Sequence, residues 1–191
     1  YIAGYKNNSL DYDYYLLKYD TTGNLIWTWE YNGGANDYAR DIAIDNSGYI
    51  YVTGYKNNGS NNDYFTIKYT NGNICWSNQY NNGPGNKHDL SFSIDVDNSV
   101  YVYVTGASSN GTGFDYCTIK YDAKNGNGIW TNRYDSGAND VAYSIAVDTN
   151  FDCIYATGTT EKGGNLDCLT IKYDPSTETI VWDKKYGTGS R

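Results

Sequence analysis

Two ionisable side chains recur at one fixed distance. Asp13, Asp63, Asp115 and Asp167 each stand five residues before Lys18, Lys68, Lys120 and Lys172. A carboxylate beside an ammonium could move a proton. An odd spacing along an extended strand, however, puts the two on opposite faces, so they read as turn and sheet-to-sheet contacts and not as an acid/base pair. His88 is the single histidine, in a segment with Gly83-Pro84-Gly85 and Lys87. No motif places a Ser or Cys nucleophile beside it, which leaves His88 a candidate binding residue on a surface loop and gives no candidate catalytic residue. Cys75, Cys117, Cys153 and Cys168 include no Cys-x-x-Cys pair. With one His they cannot build a zinc cage, so they are expected as compact apolar strand residues, a disulfide staying open in an oxidising compartment. Asp45, Asp97 and Asp148 precede polar turns, where Asp accepts backbone hydrogen bonds, and they lack the dense acidic spacing of a calcium loop. No metal and no cofactor is expected.

Aromatic residues are the other chemical resource. Trp27, Trp76, Trp130 and Trp182 recur with Tyr31, Tyr80, Tyr134 and Tyr186. Recurrence in every copy assigns them to docking between neighbouring sheets, since a ligand site need occur once. Trp29 breaks the pattern, because the other copies have Asn78, Asn132 and Lys184 there. It is the candidate ring for a glycan or protein partner. Three Asn-x-Ser/Thr sequons, beginning at Asn7, Asn58 and Asn110, could carry glycans if the protein is exported.

The elements that position these residues follow from the repeat. Gly4, Gly54, Gly106 and Gly158 end an apolar strand at spacings of 50, 52 and 52 residues, and the Asp, Lys, Trp and Tyr markers keep the same order. Each unit holds four short β-like runs, A to D, bounded by Gly, Asn, Asp and Ser. Run C alternates, with Phe65, Ile67 and Tyr69 on one face and Tyr64, Thr66 and Lys68 on the other. Run A places small residues between β-branched ones, as in Ile42-Ala43-Ile44, which suits a crowded inner position.

One four-stranded antiparallel sheet per repeat, each burying both faces on its neighbours, is the pattern of an all-β propeller. The expected blades are 1–32, 33–82, 83–135 and 136–187. The first opens at run B and lacks its inner strand, as though that strand followed residue 191 in a longer parent. The chain is therefore expected to be an arc of a larger seven- or eight-bladed propeller, completed by further blades or by a second copy.

Ser144-Ile145-Ala146-Val147-Asp148 leading to Tyr155-Ala156-Thr157-Gly158, and Asp41-Ile42-Ala43-Ile44-Asp45 leading to Tyr51-Val52-Thr53-Gly54, resemble the SBBP family of β-propeller repeats. The likeness runs through the whole chain. It implies the fold and, because the family's members are mostly surface or secreted proteins, an extracellular or cell-surface location. A looser likeness to quinoprotein propellers stops at architecture, because no adjacent cysteines are present to meet a quinone.

Composition narrows the partners. A net charge of −8 with no Lys/Arg cluster argues against nucleic acid, and no apolar run is long enough for a membrane span. The expected function is a non-enzymatic scaffold for adhesion, assembly, or glycan or protein binding. The alternative is the propeller domain of a secreted polysaccharide-active enzyme whose catalytic residues lie elsewhere.

Overall fold

A computed structural model describes residues 1–187 except Asn71, Pro84, Asn86 and Ser99. The Pro84 part of the inserted loop and a strand expected beyond residue 191 thus lie outside the described residues. Among the described residues fifteen strands form four sheets. The first holds β1 (Ile2–Asn7), β2 (Tyr12–Tyr19) and β3 (Leu25–Tyr31). The second holds β4 (Asp37–Ile44), β5 (Ile50–Asn57), β6 (Asn62–Thr70) and β7 (Asn73–Tyr80). The third holds β8 (Asp89–Asp97), β9 (Tyr101–Ser109), β10 (Phe114–Asp122) and β11 (Gly128–Tyr134). The fourth holds β12 (Asp140–Asp148), β13 (Cys153–Lys162), β14 (Asn165–Asp174) and β15 (Thr179–Tyr186). Within each sheet every strand pairs antiparallel with its sequence neighbour, giving A-B-C-D meanders in three sheets and B-C-D in the first. Among the described residues no helix is long and apolar enough to cross a membrane.

The core is three interfaces, one between each pair of consecutive sheets. Tyr14 and Leu16 of the first sheet pack on Ala39, Ile50, Val52, Phe65, Ile67 and Tyr69 of the second. Tyr51, Tyr64 and Trp76 pack on Val102, Cys117 and Ile119, and Tyr103, Tyr116 and Trp130 pack on Ile154, Leu169 and Ile171. Period-two alternation on the C strands produces this arrangement. In β6 the face carrying Tyr64, Thr66 and Lys68 meets the following sheet, and the face carrying Phe65, Ile67 and Tyr69 meets the preceding one. Strand β8 contacts both β4 and β12, so the A strands stand innermost, whereas the D strands lie outermost.

The A strands begin earlier than expected from run A alone, at Asp37, Asp89 and Asp140. Each is bulged once, between Ala39 and Asp41, Ser91 and Ser93, and Ala142 and Ser144. The bulge leaves Arg40, Phe92 and Tyr143 unpaired in the ladder and re-aims their side chains. The recurring glycine of strand B is explained at the same place. A Cβ on Gly54, Gly106 or Gly158 would strike the A-strand backbone and the tyrosine hydroxyl of the preceding sheet, whereas one on Gly4 meets nothing within 4 Å.

Candidate functional site

The residues with chemical potential gather at the sheet junctions, where most are held by hydrogen bonds across them. The Tyr14, Tyr64 and Tyr116 hydroxyls donate to the carbonyls of Phe65, Cys117 and Leu169 in the next sheet, at 2.9, 3.0 and 3.0 Å. Burial pushes all three phenols above their ordinary pKa, so they stay protonated donors. The repeated lysine makes a second lock. Lys68 Nζ donates to Ala123 O at 2.8 Å and lies 3.8 Å from the Tyr49 ring centre; Lys120 Nζ donates to Pro175 O at 3.1 Å and lies 3.7 Å from Tyr101. Burial lowers the pKa of both lysines. In the second and third sheets the repeated lysine is thus spent on a structural contact away from its aspartate.

Two rows of buried aspartates line one end of the junctions. From the C strands come Asp13, Asp63 and Asp115, and from the A strands Asp37, Asp89 and Asp140. The second row clamps the loop that enters its own sheet: Gly33 N–H donates to Asp37 at 2.7 Å, Asn82 N–H to Asp89 at 2.8 Å and Ser136 N–H to Asp140 at 2.7 Å. Desolvation raises Asp37, Asp89 and Asp115 above the usual carboxylate range, Asp37 to about 6. Asp115, Asp135 and Asp140 bring carboxylate oxygens within 4.8 Å of one another. Arg133 pairs with Asp115 there, at 2.5 Å.

Trp29 lies on the opposite side of the first junction. Its ring centre is 4.8 Å from Tyr69 and 6.4 Å from Tyr31, and with Trp27, Thr28 and Gly72 it lines an open groove. In the next two sheets the same position crosses the junction by a hydrogen bond: Asn78 Nδ2 donates to Gly126 O at 2.9 Å and Asn132 Nδ2 to Glu178 O at 3.5 Å. At the first junction Trp29 substitutes ring contact for that bond and stays half-buried.

The family model described as a β-propeller repeat, SBBP, matches residues 26–60. That segment runs from β3 of the first sheet through β4 and β5 of the second and spans the first junction. The chain carries an SBBP repeat. A search of the curated proteins returned no match.

The sheet junctions account for the placement of the remaining candidates. His88 Nδ1 accepts from Asn62 N–H at 3.2 Å. The equivalent bonds run from Tyr12 N–H to Asn36 Oδ1 and from Phe114 N–H to Asn139 Oδ1, each at 3.1 Å. His88 therefore occupies a junction position that is Asn in the other repeats, immediately before the clamp aspartate. Asn58 Nδ2 donates to Asp63 at 2.8 Å, and Asn110 Nδ2 to Asp115 at 3.2 Å, so both amides turn inward. Asn7 is exposed and one residue out of register with them, since Asn8 makes the corresponding bond to Asp13. Asp45, Asp97 and Asp148 accept turn N–H groups, Asp45 and Asp97 also taking the Tyr51 and Tyr103 hydroxyls.

The cysteines divide. Cys117 and Cys153 are buried as expected, whereas Cys75 and Cys168 are exposed thiols. Cys168 follows Asp167 as Tyr14, Tyr64 and Tyr116 follow theirs, so the fourth repeat replaces the locking tyrosine by a thiol. The reading by runs also missed the clamp aspartates and the bulge residues. Arg40 packs over the Tyr5, Tyr38 and Tyr55 rings, and Phe92 contacts Tyr143 from the next sheet at 5.7 Å. The Asn-Asp dipeptides at 36–37 and 139–140 were the available signal for the clamps.

Proposed function

We propose that the chain is a non-enzymatic scaffold within an extracellular or cell-surface propeller, binding glycan or protein through the aromatic groove of the first junction. The carrying observation is the replacement at Trp29. A position spent on an interblade hydrogen bond in the next two sheets becomes, in this sheet alone, an indole beside Trp27 and Tyr69. Flat aromatic surfaces bind sugar faces and protein side chains at low conformational cost, which favours such a role. Asn7, exposed at the end of β1, is the sequon best disposed to carry a glycan in exported material.

The same reading places the chain in a larger ring. Among the described residues the first sheet has no counterpart of the inner strands β4, β8 and β12, and the open space over Gly4 leaves room for one from further blades or a second copy. Trp29→Asn tests the groove, because it installs the residue used at the next two junctions and should keep the fold. Soluble oligosaccharides should quench tryptophan fluorescence saturably in the parent chain and at least tenfold more weakly in the variant. Equal binding by both, or no binding to a broad glycan array and to surface proteins, would refute the reading.

A further inference from the structure

At the second and third junctions a turn of one sheet closes over the sheet before it. The turn between β10 and β11 offers Ala123 O to both Lys68 Nζ and Trp76 Nε1, at 2.8 and 3.1 Å, and Gly126 O to Asn78 Nδ2 at 2.9 Å. Gly126 lies so flat on the Trp76 ring that a Cβ there would stand 2.6 Å from it. The turn between β14 and β15 does likewise, Pro175 O accepting from Lys120 Nζ and Glu178 O from Asn132 Nδ2. Trp76 and Trp130 are buried beneath these turns, at 8 % and 7 % exposure.

The second sheet has a shorter turn to offer the first. Six residues separate Tyr69 from Trp76, whereas eight separate Tyr121 from Trp130 and Tyr173 from Trp182. A Cβ on Gly72, in the short turn, would meet only the Tyr69 hydroxyl, at 4.0 Å, and no part of Trp27. Lys18 still stands opposite Trp27 in the ladder, as Lys68 stands opposite Trp76. Lys18 Nζ lies 5.1 Å from the Tyr1 ring centre, and Trp27 has ring contacts with Tyr1 at 5.9 Å and Tyr69 at 5.7 Å. Among the described residues neither nitrogen has a hydrogen-bond acceptor. Trp29, leaning on Tyr69, takes up part of the space that the two missing residues leave, and the remainder is the groove, about 520 Å³ and open to solvent. Trp27 stays half-buried beside it.

We propose that the groove of the first junction takes a short, glycine-bearing peptide turn from a partner protein, seated as the chain's own turn is seated on Trp76. This rests on the groove being the binding surface, and it selects protein over glycan. The Lys18 ammonium and the Trp27 indole N–H can only donate, so the occupant must bring acceptors. At the two complete junctions those acceptors are backbone carbonyls three residues apart, Ala123 with Gly126 and Pro175 with Glu178. A carbonyl answering an ammonium makes a charge-assisted bond, stronger than a neutral pair. A glycine in the occupant lets its backbone lie against the indole face, as Gly126 does, and Trp29 forms a further aromatic wall.

The probe is a head-to-tail cyclic peptide of residues 122–127, whose ends already meet through Asp122 N–H and Asn127 O at 2.9 Å, so that it enters pre-organised. It should change the tryptophan fluorescence of the 191-residue chain saturably and shield it from acrylamide. The same cycle with Gly126→Val, which drives a side chain into the ring, should bind at least tenfold more weakly. In the chain, Lys18→Met should weaken binding at least tenfold, and Trp27→Phe, which keeps a ring and removes the N–H, severalfold, with circular dichroism unchanged in both. Replacing residues 70–73 by the sequence of residues 122–127 fills the groove from within. That variant should melt at a higher temperature, protect its tryptophans from acrylamide and lose the peptide signal. Oligosaccharide binding with no response to the peptide would overturn this inference and leave the groove a binding site; no response to either would overturn both. Peptide binding that is indifferent to Gly126→Val and to Lys18→Met would overturn this inference alone.

Discussion

Replacing the strand-B glycines one at a time by alanine separates junctions that are packed from an edge that is open. In Gly106→Ala the new methyl would sit 2.7 Å from Ser91 Cα and 2.8 Å from the Tyr64 hydroxyl, against an ordinary limit of 3.4 Å, and closer still to the Leu90 carbonyl. Strand β8 cannot yield without opening its bulge, and the hydroxyl cannot yield without leaving Cys117 O. Overpacking of this kind costs about 1–3 kcal/mol, and a lost buried hydrogen bond about 1 kcal/mol more. Alanine returns roughly 0.5–1 kcal/mol through its smaller backbone entropy loss. The net expectation is a destabilisation of about 1–3.5 kcal/mol for Gly106→Ala, with Gly54→Ala and Gly158→Ala close to it. Gly4→Ala meets nothing within 4 Å, so it should be neutral or stabilising by about 0.4–1 kcal/mol. Urea denaturation followed by tryptophan fluorescence, with unchanged m-values, measures all four. A Gly106→Ala midpoint indistinguishable from the parent would refute the account of the repeated glycine. A Gly4→Ala loss as large as the others would show that a strand covers β1 in solution.

Two further outcomes follow from the junction contacts. Tyr64→Phe keeps the ring and removes its hydrogen bond to Cys117 O, so denaturation should show a loss of about 1–2 kcal/mol, with the second and third sheets losing hydrogen-exchange protection first. The Asp37 carboxyl, raised to about 6 by burial from an unfolded value near 3.8, binds its proton more tightly in the native chain. That stabilisation is complete below the unfolded value and disappears as pH rises through the folded one. A thermal-melt series between pH 4 and pH 7 should therefore fall more steeply in the parent than in Asp37→Asn, by up to about 3 kcal/mol across the window.

The sheets were legible because two periodicities reinforce each other: alternation within run C sorts its side chains to two faces, and the repeat of about 50 residues gives each face a neighbour. The junction chemistry was less legible because its meaning lies between repeats. Asp37, Asp89 and Asp140 align only when the inserted residues are placed before His88, and in that repeat His replaces the Asn that would have marked the register.

Cys168 gives the same lesson at the other end of the arc. Tyr14, Tyr64 and Tyr116 each bring a hydroxyl to the glycine of the next sheet, at Gly54, Gly106 and Gly158. The fourth sheet has a thiol at that position, and the first sheet has Gly4 with nothing over it. If two copies met, fourth sheet against first, they would do so without the tyrosine lock that fastens each internal junction. The repeat register alone therefore assigns such a contact less strength than the three within the chain. It also places Cys168, an exposed thiol in the isolated chain, at its centre.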